Sequence, residues 1–324
     1  MEYPMNLHNE KSSFTAAIQA ASDRLGILPV FIEKDYWITL VLKRLSESKF
    51  NDSVVFKGGT SLSKGHKLIN RFSDDIDIAV INVPDMSCNK VKNLIRDVEK
   101  YISADLAEIT DSPYASKGSR FRKSIFTYPK TGDSRFYQEV SDKLSIEINS
   151  FANPYPYEKR EINSLISTSL ALNNQTDLIK KYELMPFAIN VLHTNQTLLE
   201  KLVSLFRSSF EKDPVAGISG KIRHFYDLFY LLSDKDCKAL IDSEDFSAQF
   251  NDVWSRDQVT FDEPEGWQDK SVSESPLFLI FPELWDALRS TYNKELFALA
   301  FAEIPEERKV ADAFMYIINK ISKA

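Results

Sequence analysis

The sequence predicts an α/β protein in two parts, a mixed α/β half built on a sheet followed by a helical half. Two observations carry that reading. Short apolar runs at residues 54–56, 75–81 and 144–148 alternate with stretches of helical period in the first half, whereas beyond residue 156 almost every strong apolar periodicity is helical. Taken in order, Ile38, Val41, Leu42 and Leu45 form an i, i+3, i+4, i+7 stripe after Pro29, a residue suited to a first helical turn. Val54-Val55-Phe56 then reads as a strand that ends in a tight turn at Lys57-Gly58-Gly59, and residues 75–81 read as a second strand. Helical period returns at Val91, Leu94, Ile95, Val98 and Ile102, with Ser87 placed to cap it. Residues 144–148 alternate apolar and polar as a strand does. The prolines of Asn153-Pro154-Tyr155-Pro156 interrupt regular structure, so the domains are expected at 1–155 and 156–324. Residues 198–206, 222–232 and 310–321 are the clearest helices of the second half.

Composition bounds the classes of function. A chain of 324 residues that is 43% hydrophobic and 27% charged is neither disordered nor fibrous, and 22 Phe with 13 Tyr supply a large core. Cys88 and Cys237 are the only cysteines, too few and too far apart for a disulfide framework or a cysteine zinc site. No apolar run approaches the ~18 residues of a membrane span and the N-terminus has no apolar leader core. The expectation is a soluble, cytoplasmic protein with no membrane partner. The net charge of −7 is uneven, since residues 241–303 hold 14 Asp/Glu against four Lys/Arg and leave a mildly basic body. Within that body Lys117, Arg120, Arg122 and Lys123 lie together beside Phe121, which reads either as a solvated loop or as a surface that meets RNA phosphates.

The chemistry concentrates between Lys57 and Asp77. Successive strand residues face opposite sides, so Asp75 and Asp77 share one face while Ile76, Ile78 and Val80 share the other. Two converging carboxylates call for a cation between them, the oxygen-ligand arrangement of Mg²⁺. Asp74 falls with the isoleucines by parity and is expected to do structural work at a strand end. A third acid suits the same face: Glu147 stands opposite Leu144, Ile146 and Ile148 in its own strand. Gly58 and Gly59 are expected to bring backbone N–H groups to phosphate oxygens, with Thr60 and Ser61 adding hydroxyl donors. No G-x-x-x-x-G-K-[ST] pattern occurs, so this is not a Walker site.

The run Phe56-Lys57-Gly58-Gly59-Thr60-Ser61-Leu62-Ser63-Lys64, followed by Arg71-Phe72-Ser73-Asp74-Asp75-Ile76-Asp77, resembles the signature of the AbiEii/AbiGii toxin nucleotidyltransferases of the DNA polymerase β-like superfamily. Glu33-Lys34-Asp35-Tyr36-Trp37 is similar to the family's N-terminal helix. Arg223-His224-Phe225-Tyr226-Asp227-Leu228 is similar to a downstream motif, and Glu200-Lys201-Leu202 falls where a helical lysine is essential. The resemblance, over roughly residues 30–232, implies a polymerase-β-like domain with a mixed sheet and a helical domain that closes over an NTP. It implies nucleotide transfer to an acceptor, RNA and in particular a tRNA 3′ end, by the toxin of a toxin–antitoxin or phage-defence system with a cognate antitoxin. Carried over by position, Asp75, Asp77, Lys201 and Asp227 are catalytic. Asp75 and Asp77 would bind metal, with Glu147 expected from its own strand as a third ligand, and Lys57, Gly58, Gly59, Thr60, Ser61, Ser73 and Arg223 are the expected nucleotide contacts. Two rivals stand beside this reading: a nucleotidyltransferase acting on a small molecule of the antibiotic type, and a nucleotide-binding module without turnover. At single residues, Lys201 and Glu200 also read as solvated helix surface, and Arg223 with Asp227 as an i, i+4 ion pair. Glu33 and Asp35 read as structural helix charges, and none of the four histidines has metal-ligand spacing.

Overall fold

Strand and helix boundaries follow local chemistry. In the computed structural model, which describes residues 6–73, 75–81, 83, 86–131 and 143–321, helix α1 (Lys11–Leu25) ends at Gly26 with φ +69°, and Pro29 opens α2 (Pro29–Glu47). The strands of the first half are β1 (Val54–Lys57), β2 (Asp75–Val80), β3 (Ala107–Glu108), β4 (Ser116–Lys117), β5 (Phe121–Thr127), β6 (Lys143–Asn149), β7 (Tyr157–Ile162) and β8 (Phe187–Leu192). Between them lie α3 (Gly58–Lys64), α4 (Cys88–Ile102), α5 (Leu165–Leu172) and α6 (Thr176–Lys181). The Ser87 hydroxyl accepts from Lys90 N–H and caps α4 as its position predicts.

These elements build one mixed sheet in the order β3-β5-β6-β2-β1-β8-β7, with β4 pairing β5. β2 runs parallel to β6 and β1 parallel to β8, while the β1–β2, β5–β6 and β7–β8 pairs are antiparallel. A parallel pair needs a crossover, and α4 lies in the connection from β2 to β6, packing its buried Val91, Ile95, Val98 and Ile102 toward β5 and β6. Ile76, Ile78, Ile146 and Ile148 are fully buried. Helix α2 is buried almost continuously from Val30 to Leu42. It therefore runs through the interior, and its apolar stripe understates that burial because Glu33, Lys34 and Asp35 are buried too.

The chain divides into two units, Met1–His66 with Phe72–Leu192, and Lys67–Arg71 with His193–Ala324. The proline turn near residue 155, where the sequence suggests a boundary, lies within the first unit. The polar edge strand β7 follows it and pairs with β8 along six residue pairs. Its alternating exposure gives little apolar signal to read. The second unit holds α7 (Thr194–Ser208), α8 (Pro214–Ser219), α9 (Arg223–Ser233), α10 (Lys235–Asp242), α11 (Phe246–Thr260), α12 (Pro276–Leu279), α13 (Phe281–Leu299) and α14 (Glu307–Ile321). The acidic stretch 241–303 is folded here, with α11, α12 and α13 joined by loops and short 3-10 turns. Asp242, Glu244, Asp245, Glu283 and Asp286 are exposed, while Phe250, Trp254, Phe281 and Trp285 turn inward to pack on Phe206, Phe225 and Phe314. No helix among the described residues is long and apolar enough to cross a membrane.

Candidate active site

Four charged residues stand side by side across the middle of the sheet. Lys57 is in register with Asp77, Asp77 with Glu147, and Glu147 with Lys123. Register partners put their side chains on the same face, so the row reads positive, negative, negative, positive. Asp75 shares that face two residues along β2, opposite Ser145. Asp75, Asp77 and Glu147 are each half-buried, against the fully buried isoleucines between them. The strand alternation expected from the sequence is thus the alternation found. Asp74 lies outside the described residues.

Gly58 explains why glycine is needed at the end of β1. Its φ is +78°, and a β-carbon there would run into the Asp77 carboxylate, with the Asp77 Cγ at 2.9 Å. The expected loop is absent: β1 passes directly into α3, and Gly59 lies within that helix. Thr60 and Ser61 follow in the first turn of that helix. Both are buried, and the Thr60 hydroxyl donates to the Asp75 carbonyl at 2.5 Å while that of Ser61 donates to the Gly58 carbonyl at 2.8 Å. These two bonds fasten α3 to β2 and close its first turn. Ser73 is buried and Lys57 half-buried.

The electrostatics of the face are those of crowded acids. Burial, then the charges of Glu147 and Asp75, push the Asp77 carboxyl up to about 7, with Lys57 and Lys123 opposing the shift. Among the described residues no three His, Cys, Asp or Glu side chains converge closely enough to hold an ion as they stand. Glu147, expected as a third ligand, has its Oε2 3.5 Å from the Lys123 Nζ instead. The donor set still fits a hard divalent cation, because Asp75 and Asp77 offer carboxylate oxygens on one face. Opposite Asp75, the buried Ser145 hydroxyl has no hydrogen-bond partner among the described residues.

A second cluster lies within the helical unit. The Arg71 Nε donates to the Asp227 Oδ1 at 2.7 Å and its Nη2 to Oδ2 at 2.6 Å, while the Lys201 Nζ lies 2.7 Å from Oδ2. All three are buried, with Asp227 at 0% exposure. Burial alone would raise the Asp227 carboxyl. The charges and hydrogen bonds of Arg71 and Lys201 overcome it and hold the group well below the usual carboxylate range. Lys201 is therefore no solvated surface lysine. Among the described residues Arg223 forms no ion pair with Asp227, so the i, i+4 pairing is replaced by partners from α7 and from a segment 156 positions earlier. Arg71 is the residue that sequence reasoning missed. Its signal was the basic residue shortly before Asp-Ile-Asp. His224 is kept neutral by burial, with the Lys201 and Lys221 charges adding to the effect, and its buried Nδ1 has no partner.

The basic run near residue 120 is not one surface. Alternation along β5 puts Arg122 on the opposite face from Phe121 and Lys123. Arg122 pairs with Glu99, Lys117 with Glu108 at 2.6 Å, and Lys123 with Glu147, while the Phe121 ring packs 6.0 Å from that of Phe151. Arg120, the fourth base of the run, is exposed.

No curated protein matches the chain. Among known structures it is similar to MenT4, a nucleotidyltransferase toxin from Mycobacterium tuberculosis H37Rv, at 16% identity and a TM-score of 0.54, covering 93% of this chain and 89% of that one. At that identity the likeness speaks to the fold, which is mixed α/β as expected. The model of the nucleotidyl transferase AbiEii toxin family, type IV toxin–antitoxin system, matches residues 40–312, so by the greater part of its length this chain belongs to that family and is a nucleotidyltransferase toxin.

Proposed function

We propose that the chain transfers a nucleotidyl group from an NTP to an acceptor hydroxyl on RNA, a tRNA 3′ end in particular, with release of pyrophosphate and with Mg²⁺ held by Asp75 and Asp77. The observation that carries the reaction is the placement of Asp75, Asp77 and Glu147 on one sheet face, with Gly58 leaving room for the Asp77 carboxylate. Asp75 and Asp77 would hold a divalent cation there, which would supply charge to neutralise the triphosphate and to activate the attacking hydroxyl. The chain's own residues divide the remaining work. Thr60 ties α3 to the strand that bears both aspartates, fixing the carboxylates before substrate arrives. The role of Lys201 toward the triphosphate rests on the family resemblance, and within the helical unit Asp227 holds its ammonium in place. The RNA acceptor rests on the family resemblance, and the family implies an antitoxin as partner.

Incubation of the protein with each labelled NTP and total RNA tests the reading. Label should enter RNA in a Mg²⁺-dependent reaction, and Asp75→Ala or Asp77→Ala should abolish it while the thermal melt stays cooperative. Near-normal transfer by either variant at millimolar Mg²⁺ would refute the metal assignment. Label found only in small molecules would move the acceptor to the antibiotic type.

A further inference from the structure

We infer that Lys123 is the resident counter-ion of the carboxylate face, and that a divalent cation must take its place at Glu147 in order to bind. The inference rests on the metal reading above. Lys123 enters the face through the β5–β6 register, directly opposite Glu147, and its ammonium lies 3.5 Å from the Glu147 Oε2. Glu147 stands in turn beside Asp77, and Lys57 flanks Asp77 from the far side. The acid pair is therefore bracketed by lysines along a single row.

This pairing is built for exchange. Lys123 and Glu147 side chains are 29% and 25% exposed, so breaking the pair leaves neither charge stranded in an apolar interior. An ammonium on a four-carbon stem can swing away while its Cα stays in the sheet. Its neighbour Arg122 is different in kind, since it faces the other side and is held by Glu99 on α4. The same pairing accounts for the absence of a three-acid cluster among the described residues: one of the three acids is turned to a lysine.

Two cations sharing the face repel each other, so removing the lysine charge should strengthen metal binding. Direct titration of the full chain with Mn²⁺ alone, following free Mn²⁺ by its EPR signal and adding no nucleotide, measures this apart from activity. Lys123→Met should bind Mn²⁺ about five- to tenfold more tightly than the wild type at low salt. Lys123→Gln, a second neutral variant, should shift it in the same direction, and Lys123→Arg should stay near the wild-type affinity. Unchanged or weaker binding in both neutral variants overturns the inference, as does an equal gain in Lys123→Arg, which would point to packing and away from charge. Asp77→Asn separates the two levels of argument. If it loses Mn²⁺ binding while Lys123→Met shows no gain, the inference fails and the metal reading stands. If it binds as the wild type does, both fall.

Discussion

At Gly58 a positive φ and the Asp77 carboxylate meet at one atom, so a single methyl group tests the site. Gly58→Ala should destabilise the fold by about 1–2 kcal/mol for a left-handed non-glycine residue. Displacement of Asp77 should lower transfer by about 10²-fold. Denaturant melts and single-turnover transfer check the two effects separately. Asp77 itself makes a pH prediction. Its carboxyl titrates near 7 in the folded chain and near ~3.9 when unfolded, so between those values the folded state holds the extra proton. Stability of the metal-free protein should then fall as pH rises from about 4 to about 7 through this group. Asp77→Asn removes that dependence. The variant should melt higher than the wild type at pH 8 without metal and match it near pH 4, and a thermal-shift series across pH checks this.

At the scale of elements, α3 is fixed from both ends. Thr60 and Ser61 fasten its start, while Lys64 at its last turn pairs with Asp35 of α2, whose other oxygen accepts the Leu165 N–H at the start of α5. Both charged side chains are 8% exposed. Asp35→Ala should leave the Lys64 charge buried without its carboxylate and cost about 3–5 kcal/mol, read as a drop in the urea midpoint. The reading of Glu33 and Asp35 as structural charges agrees with this geometry, and the Glu33 Oε1 accepts from the Thr131 N–H at 2.8 Å. These pairings were hidden in the sequence because the partners of Asp35 lie 29 and 130 positions away. By contrast the cap at Ser87 and the proline opening α2 are local devices, legible from neighbouring residues alone.

At the scale of the molecule, the second unit is discontinuous in sequence. The backbone of residues 70–71 joins it through the Phe301 N–H to Asn70 carbonyl bond at 3.0 Å and the Arg71–Ala300 bridge, and the Arg71 side chain neutralises Asp227 from inside. A fragment of residues 193–324 would keep every helix of that unit yet lack the bidentate partner of a fully buried carboxylate. Loss of one partner from such a pair is strongly destabilising. The fragment should therefore show no cooperative melt by circular dichroism, whereas the full chain melts cooperatively. Recovery of a full-strength melt by the fragment would show that Arg71 is dispensable to the helical unit.

The sequence by itself determined the alternation within β2 and within β6, and so the shared face of Asp75 and Asp77, because side-chain direction along one strand follows parity; the β2–β6 register then brought Glu147 to that face. It determined the helical second half through the period of its apolar residues, and the family through the ordered motif between Lys57 and Asp77. The tertiary structure alone decided who partners whom. Register set Lys123 against Glu147 and split the basic run across two faces, and a contact across 156 positions gave Asp227 to Arg71 in place of Arg223. It also gave the Thr60 and Ser61 hydroxyls the Asp75 and Gly58 carbonyls as acceptors. Those outcomes depend on distances between segments remote in the chain, which local propensity and spacing do not encode.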